Sequence, residues 1–425
     1  MRHHCEPAID VCAPRPSGST AGLVAVKTAI FRGLALARAV PETDLVALED
    51  SVGRVLGEDL RAPFALPPFD NSAMDGYALR SCDVQGAGPW VLEVTARIAA
   101  GDDVRKSPTI RAGQAARIFT GAAIPAGADA VVMQEHATRE GNHITLRRTA
   151  PSGACIRRAG EDASVGSILL RKGTLIGARE VGAIASVGQA FVTVRRRVQV
   201  ALFCTGSELQ QPGTSLGPGQ IYNSNRYMML AALRQPWAEV VEHGMIEDNP
   251  AQLRETLLNA ASTADVVVTT GGVSVGEEDH MVAQLKAAGG EVEVLKIAMK
   301  PGKPLTLGRL GRAVFIGLPG NPVAAFTTWK VIGARIAEKL SGRQGTTNQQ
   351  GVVEVTAEIR RLPGRQEYRP VRIVGTSATG HPRIEFLDSN YSAKISLICQ
   401  SDGLAVIPAA SDRLRPGDHL EFVPL

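Results

Sequence analysis

The chain has 425 residues, too many for one hydrophobic core and enough for two to four domains of about 100–200 residues each. Hydrophobic residues make up 44% and charged residues 21%, which excludes a largely disordered polymer. A net charge of +4 with 4% aromatic residues argues against a nucleic-acid binder and leaves small anions as partners.

No run of about eighteen uncharged apolar residues occurs, and the start of the sequence has no continuous apolar stretch, so no membrane partner and no export are expected. Six cysteines without a C-x-x-C pair suit reduced thiols and a cytoplasmic location. Residues 1–19 are rich in Pro, Ser and charge and read as a mobile tail. Leu23, Val26, Ile30 and Leu34, three and four apart with Pro41 as a stop, predict an amphipathic helix. A second, shorter helical piece is expected around Leu45 to Leu56.

Between 61 and 161 the texture changes to short apolar runs separated by Gly, Pro, Asp and Asn turns, with strands expected at Trp90–Val94, Ala115–Phe119, Ala130–Met133 and His143–Leu146. Helical spacing returns at Ala178 to Val187. This small β domain is therefore read as inserted into a helical linking domain made of residues 20–60 and 162–190.

From 191 to 345 strand, loop and helix repeat: Val198–Phe203, Glu239–Met245, Asp265–Thr269 and Ala313–Ile316 each run into a polar or Gly-rich loop and then a helix. Asn249 and Asn321 stand as N-caps before Pro250 and Pro322. The pattern predicts a three-layer, doubly wound, mostly parallel sheet with ligands at the carboxyl ends of its strands. Residues 346–425, with short strands and PG and DG turns, read as a C-terminal β barrel. The expected fold class is thus multidomain α/β plus β.

The loop TGGVSVGEED, Thr270 to Asp279, offers Gly271, Gly272 and Ser274 to a phosphate. It matches neither G-x-G-x-x-G nor G-x-x-x-x-G-K-[ST]. KIAMKPGKP sets Lys296, Lys300 and Lys303 on a proline-stiffened turn suited to a multiply charged anion, although a lysine trio also suits a solvated surface. Glu208, Asp248 and Asp279 follow three different strands. Taken singly the first two also suit caps. Together, beside a bound anion, they would repel it by about 4 kcal/mol per close pair unless a cation intervened. With no His/Cys set beside them, the oxygen donors point to Mg²⁺. FDNSAMDGYA (Phe69 to Ala78), FTGAAIP (Phe119 to Pro125) and IRRAGED (Ile156 to Asp162) supply further polar groups around the β insertion, and a two-fold dimer could carry them to a partner's sheet edge.

In this order, FDNSAMDGYA, FTGAAIP, IRRAGED, TGSEL, TTGGVSVGEED, KPGKP and GLPGNP resemble the molybdopterin molybdenumtransferase family, which includes the gephyrin E domain; the similarity runs over about residues 22 to 425. The resemblance implies a homodimer of four-domain subunits. It implies a transferase of molybdenum cofactor biosynthesis that inserts molybdenum from molybdate into adenylylated molybdopterin and releases AMP with a divalent cation. Residue by residue, it implies that Asp75, Thr120, Arg157 and Asp162 come from one subunit. Glu208, Asp248, Asp279, Lys296 and Lys300 come from the α/β domain of the other, and Ser392 and Ser396 face the cleft more loosely. Asp75, Glu208, Asp248 and Asp279 are the expected catalytic acids, the last three also metal ligands. Ser207 and Asn249 depart from the family's frequent acids at two turns. Transient contact with the preceding adenylyltransferase and with recipient molybdoenzymes is also implied. The rival readings are an adenylyltransferase using ATP and a non-catalytic scaffold.

Overall fold

The computed structural model describes residues 22–247, 249–272, 280–345, 351–387 and 394–425. The chain forms two compact units: one takes residues up to Gly57, Gly173–Gly177 and Thr193–Leu425, the other Glu58–Lys172 and Ala178–Val192.

The first unit is built on six strands: β1 Val198–Thr205, β2 Ala238–Ile246, β3 Val266–Thr270, β4 Glu291–Lys296, β5 Pro304–Leu310 and β6 Ala313–Leu318. Their order is β2-β1-β3-β6-β5-β4. The four strands β2, β1, β3 and β6 run parallel, and β5 is antiparallel to both β6 and β4. The parallel strands agree with the sequence pattern. The two extra strands at the lysine-bearing edge are an addition to it, because Glu291, Glu293 and Arg309 interrupt the apolar run that marks a strand buried on both faces. β3 shows that run fully, every residue being buried.

Side chains alternate between two cores. Val200, Leu202, Val268 and Ile316 face helices α1 (Val26–Leu36), α2 (Ser224–Leu233) and the segment through Trp329 and Ile336. Ala201, Phe203, Val267 and Phe315 face α3 (Pro250–Thr263) and α4 (His280–Ala287). The predicted caps form: Asn249 Oδ1 accepts from Ala251 N and Gln252 N at 3.0 and 3.3 Å, and Asn321 Oδ1 from Val323 N at 3.2 Å. Asp265 fixes the start of β3, accepting two bonds from the Arg196 guanidinium at 2.7 and 2.9 Å and one from Gln199 N at 2.8 Å.

The expected helix around Leu45 to Leu56 is not formed: Thr43–Ala47 is a strand, followed by one 3₁₀ turn at Leu48–Asp50. Arg54, 5% exposed, holds this segment by donating to Asp44 Oδ2 at 2.7 Å and Arg195 O at 3.0 Å. A long-range partner here outweighs a weak local helix propensity.

The C-terminal part closes into a five-stranded barrel of β7 Gly351–Val355, β8 Gln366–Thr376, β9 Pro382–Phe386, β10 Gly403–Ile407 and β11 His419–Pro424. The ring runs β8-β9-β7-β11-β10 and back to β8. Val353, Val371, Ile384, Ala405 and Leu420 fill it. Closure removes free edges.

The second unit holds a six-stranded mixed sheet in the order 130–133, 76–79, 114–118, 90–98, 143–146, 137–140. Tyr77, Leu79, Leu92 and Ala115 fill one face, and Ala78, Ile98, Ala116 and Ile118 the other. The strand Gly76–Leu79 emerges from what the sequence presents as a turn. No helix among the described residues is long and apolar enough to cross a membrane.

Candidate functional site

β1, β3 and β6 end at Thr205, Thr270 and Leu318 on one edge of the sheet. Registers carry the lysine turn to that edge: Thr306 of β5 lies opposite Gly317 of β6, and Lys296 of β4 opposite Pro304 of β5. At about 4.8 Å per strand, the end of β4 lies about 14 Å from the end of β3. Lys296 and Lys303 are exposed. Lys300 is half-buried, its Nζ 3.4 Å from Oε1 of Glu367, a residue 3% exposed that also accepts from Arg361 Nε at 3.2 Å.

Gly271 and Gly272 follow β3 with φ of +86° and +61°, in the region that favours glycine. A Cβ on Gly271 would lie 2.4 Å from Thr205 O, and one on Gly272 would lie 2.9 Å from Thr205 Oγ1. Gly320 in GLPGNP packs against Gly271, and its carbonyl accepts from Asn225 Nδ2 at 2.6 Å. Two buried polar atoms of this cluster, Thr205 Oγ1 and Asn225 Oδ1, have no hydrogen-bond partner among the described residues. Cys204, beside Thr205, accepts from Thr270 Oγ1 at 3.2 Å, and burial pushes its thiol pKa up. Glu208 is exposed, its carboxylate folded over Gly206. It makes no ion pair among the described residues.

Asp248, Ser274, Asp279 and Ser392 lie outside the described residues. Among the described residues no three His, Cys, Asp or Glu side chains are grouped to hold a metal.

The second unit brings its three motifs together. Ser72 N donates to Ala122 O at 2.9 Å, Ala73 N to Cys155 O at 2.8 Å, and Ile124 N to Asp70 O at 3.0 Å. Arg157 pairs with Asn71 in a short antiparallel ladder. Asp75 Oδ1 accepts from both Thr120 N at 2.8 Å and Thr120 Oγ1 at 2.7 Å. Asp70 accepts from Ala159 N at 2.8 Å and Arg158 Nη1 at 2.6 Å. Asp162 is exposed, its N–H bonded to Leu66 O at 2.9 Å. Asp75 with Thr120, and Arg157 with Asp162, thus share one knot of loops.

Hydrogen bonds from Ala159 N–H and then Arg158 hold the Asp70 carboxyl below the usual carboxylate range, and those from Thr120 N–H and hydroxyl do the same for Asp75. A depressed folded-state pKa stabilises above the unfolded value, near 4, and that stability is lost as pH falls through the folded pKa. Unfolding midpoints measured from pH 6 down to pH 2 should therefore drop in this acid window. Asp70→Asn should flatten the drop, and an unchanged profile would contradict the role given to these bonds.

Thr205 and Asn225 do not stand out in the sequence reading. The run Asn223-Ser-Asn225 ahead of an apolar periodic stretch carries the signal: Asn223 Oδ1 caps α2 by accepting from Arg226 N at 3.0 Å, which turns the second asparagine inward.

The carboxyl edge of this doubly wound sheet, where α/β domains take their ligands, carries two positive-φ glycines, a lysine-bearing turn and an exposed carboxylate. Residues 24–188 match the MoeA N-terminal region (domain I and II), 201–339 the probable molybdopterin binding domain, and 352–425 the MoeA C-terminal region (domain IV). The molybdopterin molybdenumtransferase of Haemophilus influenzae is 40% identical over 304 residues, 71% of this chain and 74% of that protein. Molybdopterin molybdenumtransferase 1 of Mycobacterium tuberculosis is 30% identical over 412 residues, 91% of this chain and 96% of that protein. The crystal structure of the molybdopterin biosynthesis moeA protein from Pyrococcus horikoshii OT3 superposes with a TM-score of 0.80 at 28% identity, covering 95% of this chain and 100% of that one. The chain belongs to the molybdopterin molybdenumtransferase family.

Proposed function

We propose that this protein inserts molybdenum from molybdate into adenylylated molybdopterin and releases AMP, in the cytoplasm and with Mg²⁺. The observation that carries the reading is the meeting, on one sheet edge, of the Gly271–Gly272 cradle, Glu208 and the turn bearing Lys296, Lys300 and Lys303. Both reactants are anions, and fixed positive charge and approachable backbone N–H groups are what bring such groups together.

Mg²⁺ is bound through one or two carboxylates plus substrate phosphates, keeping several waters. Glu208, exposed and without an ion pair among the described residues, fits that donor set, with Asp248 and Asp279 as the further acids. When bound, the ion would neutralise phosphoryl charge. Gly271 and Gly272 would let a phosphate approach the backbone, with Ser274 adding a hydroxyl. Lys296 and Lys303 would hold oxyanions, and Lys300, tied to Glu367, would present its charge from a fixed position. Asp75, oriented by Thr120, together with Arg157 and Asp162 would come from one subunit of a homodimer to complete the cleft on the other's sheet edge, which the Ser392 stretch would face more loosely.

Purified protein given adenylylated molybdopterin, molybdate and Mg²⁺ should release AMP. Absence of AMP would overturn the reading, and ATP-dependent adenylylation would replace it by the adenylyltransferase. The composite site has its own test. Glu208→Gln and Asp75→Asn, each inactive, should recover roughly a quarter of the wild-type rate when their subunits are exchanged, because half of a random mixture is heterodimer with one intact site. No recovery would place both residues in one subunit's site.

A further inference from the structure

Three neighbouring strands of the second unit carry a row of side chains that has no part in the proposed reaction. Arg97, on the strand Trp90–Ile98, lies directly opposite Arg117 on the parallel strand Gln114–Ile118, and Arg117 lies opposite Tyr77 on Gly76–Leu79. Residues paired in this way share one face of the sheet. Phe119, two positions beyond Arg117, is on that face as well. The Arg97 and Arg117 guanidiniums each stand 4.7 Å from the centroid of the one Phe119 ring, and Arg117 is 5.2 Å from that of Tyr77.

The row is unbalanced in charge. Arg117 donates to Gly76 O at 3.1 Å and Gln134 Oε1 at 2.6 Å, both neutral acceptors. Neither arginine makes an ion pair among the described residues, and Arg97 is exposed. The acid nearest in influence is Asp75, on which Arg117 acts electrostatically, but its Oδ1 is already taken by the N–H and hydroxyl of Thr120. Like charges directly opposite on adjacent strands disfavour folding, and an aromatic face offsets only about 0.5–1 kcal/mol of that at an exposed site. A bound dianion would remove the repulsion, and planar guanidiniums match tetrahedral oxyanions through paired N–H bonds.

The geometry points to Arg97 and Arg117 as a subsite for a tetrahedral oxyanion, seated beside the Asp75–Thr120 pair on a platform made by Phe119. This deepens the proposed function, resting on it only for the source of the anion: molybdate, or the phosphoryl group of the nucleotide-bearing substrate. Arg117 orders the turn at Gly76, so Arg97 is the side chain to change.

Titration calorimetry of the full-length protein with sodium molybdate and, separately, with AMP should show Arg97→Gln weakening at least one of them by about tenfold, and Arg97→Lys by less. The thermal midpoint of the ligand-free Arg97→Gln protein should be equal to or above that of the wild type, which a merely structural arginine would not give. Loss confined to molybdate identifies the metal oxyanion as the occupant, and loss confined to AMP identifies the phosphoryl group. Equal affinities in wild type and variant, or no binding of either anion by the wild type, would overturn the subsite. AMP release is scored separately. Wild-type release with unchanged binding in the variant sinks the subsite alone, whereas weakened binding without any release sinks the insertase reading alone.

Discussion

Glu208→Gln is expected to slow AMP release by about 100-fold or more while leaving the unfolding midpoint unchanged. The substitution keeps the size and removes only the charge. Glu208 is exposed, and its place is set by the backbone, through Ile221 N donating to Glu208 O at 2.9 Å, so the fold does not depend on its carboxylate. If the side chain holds a cation against a substrate phosphate, the residual rate should also need a higher Mg²⁺ concentration for half-saturation. A variant with wild-type rate and wild-type Mg²⁺ dependence would show that the carboxylate serves only the turn.

Gly76→Ala is expected to destabilise the protein by about 3 kcal/mol or more, or to prevent the second unit from folding. A Cβ at this position would lie 2.0 Å from Val132 O and 2.8 Å from its carbonyl carbon, a backbone collision that no side-chain rotation relieves. Gly76 pairs with Ile118 on one side and Met133 on the other, so the strand cannot shift away. The consequence for the site is direct, because the strand begins one residue after Asp75. Gly182→Ala is the matching control. It lies in the helix Ala178–Ser186 with nothing within 4 Å of an added Cβ, and should stabilise by about 0.5–1 kcal/mol. Chemical denaturation of the two variants reads both signs, and equal effects would refute the steric account.

The parallel part of the α/β sheet was legible because β1, β3 and β6 are buried on both faces almost throughout and so are written as near-continuous apolar and β-branched runs such as Val266-Val-Val-Thr-Thr. The Asn-Pro caps were legible for a local reason, one side chain bonding N–H groups two or three residues on. Strands whose partners are remote in sequence were not. Gly76–Leu79 is hidden behind turn residues, and Thr43–Ala47 reads as helix until Arg54 and Arg195 are brought alongside. The same division holds at the candidate site. Charged and glycine-rich stretches announce themselves, so Asp75, Thr120, Glu208, Gly271 and the lysines could be named from their types and surroundings. Thr205 and Asn225 could not, since burial beside the Gly271 turn, and the bond from Asn225 Nδ2 to Gly320 O, are properties of what surrounds a side chain in space.

The lysine turn is strapped from two directions. Ala298 N donates to Val24 O at 2.8 Å and Gln366 N to Ala298 O at 2.8 Å, while Met299–Lys300 pairs as a short parallel ladder with Gln366 and Glu367 at the start of β8. These bonds join a segment that precedes the α/β sheet in the chain, one between β4 and β5, and one that is synthesised only after the whole sheet. A nascent chain stalled before β8 could therefore complete its parallel sheet but not lock Lys300 in place, so the edge acquires its final charge geometry only once β8 has been made.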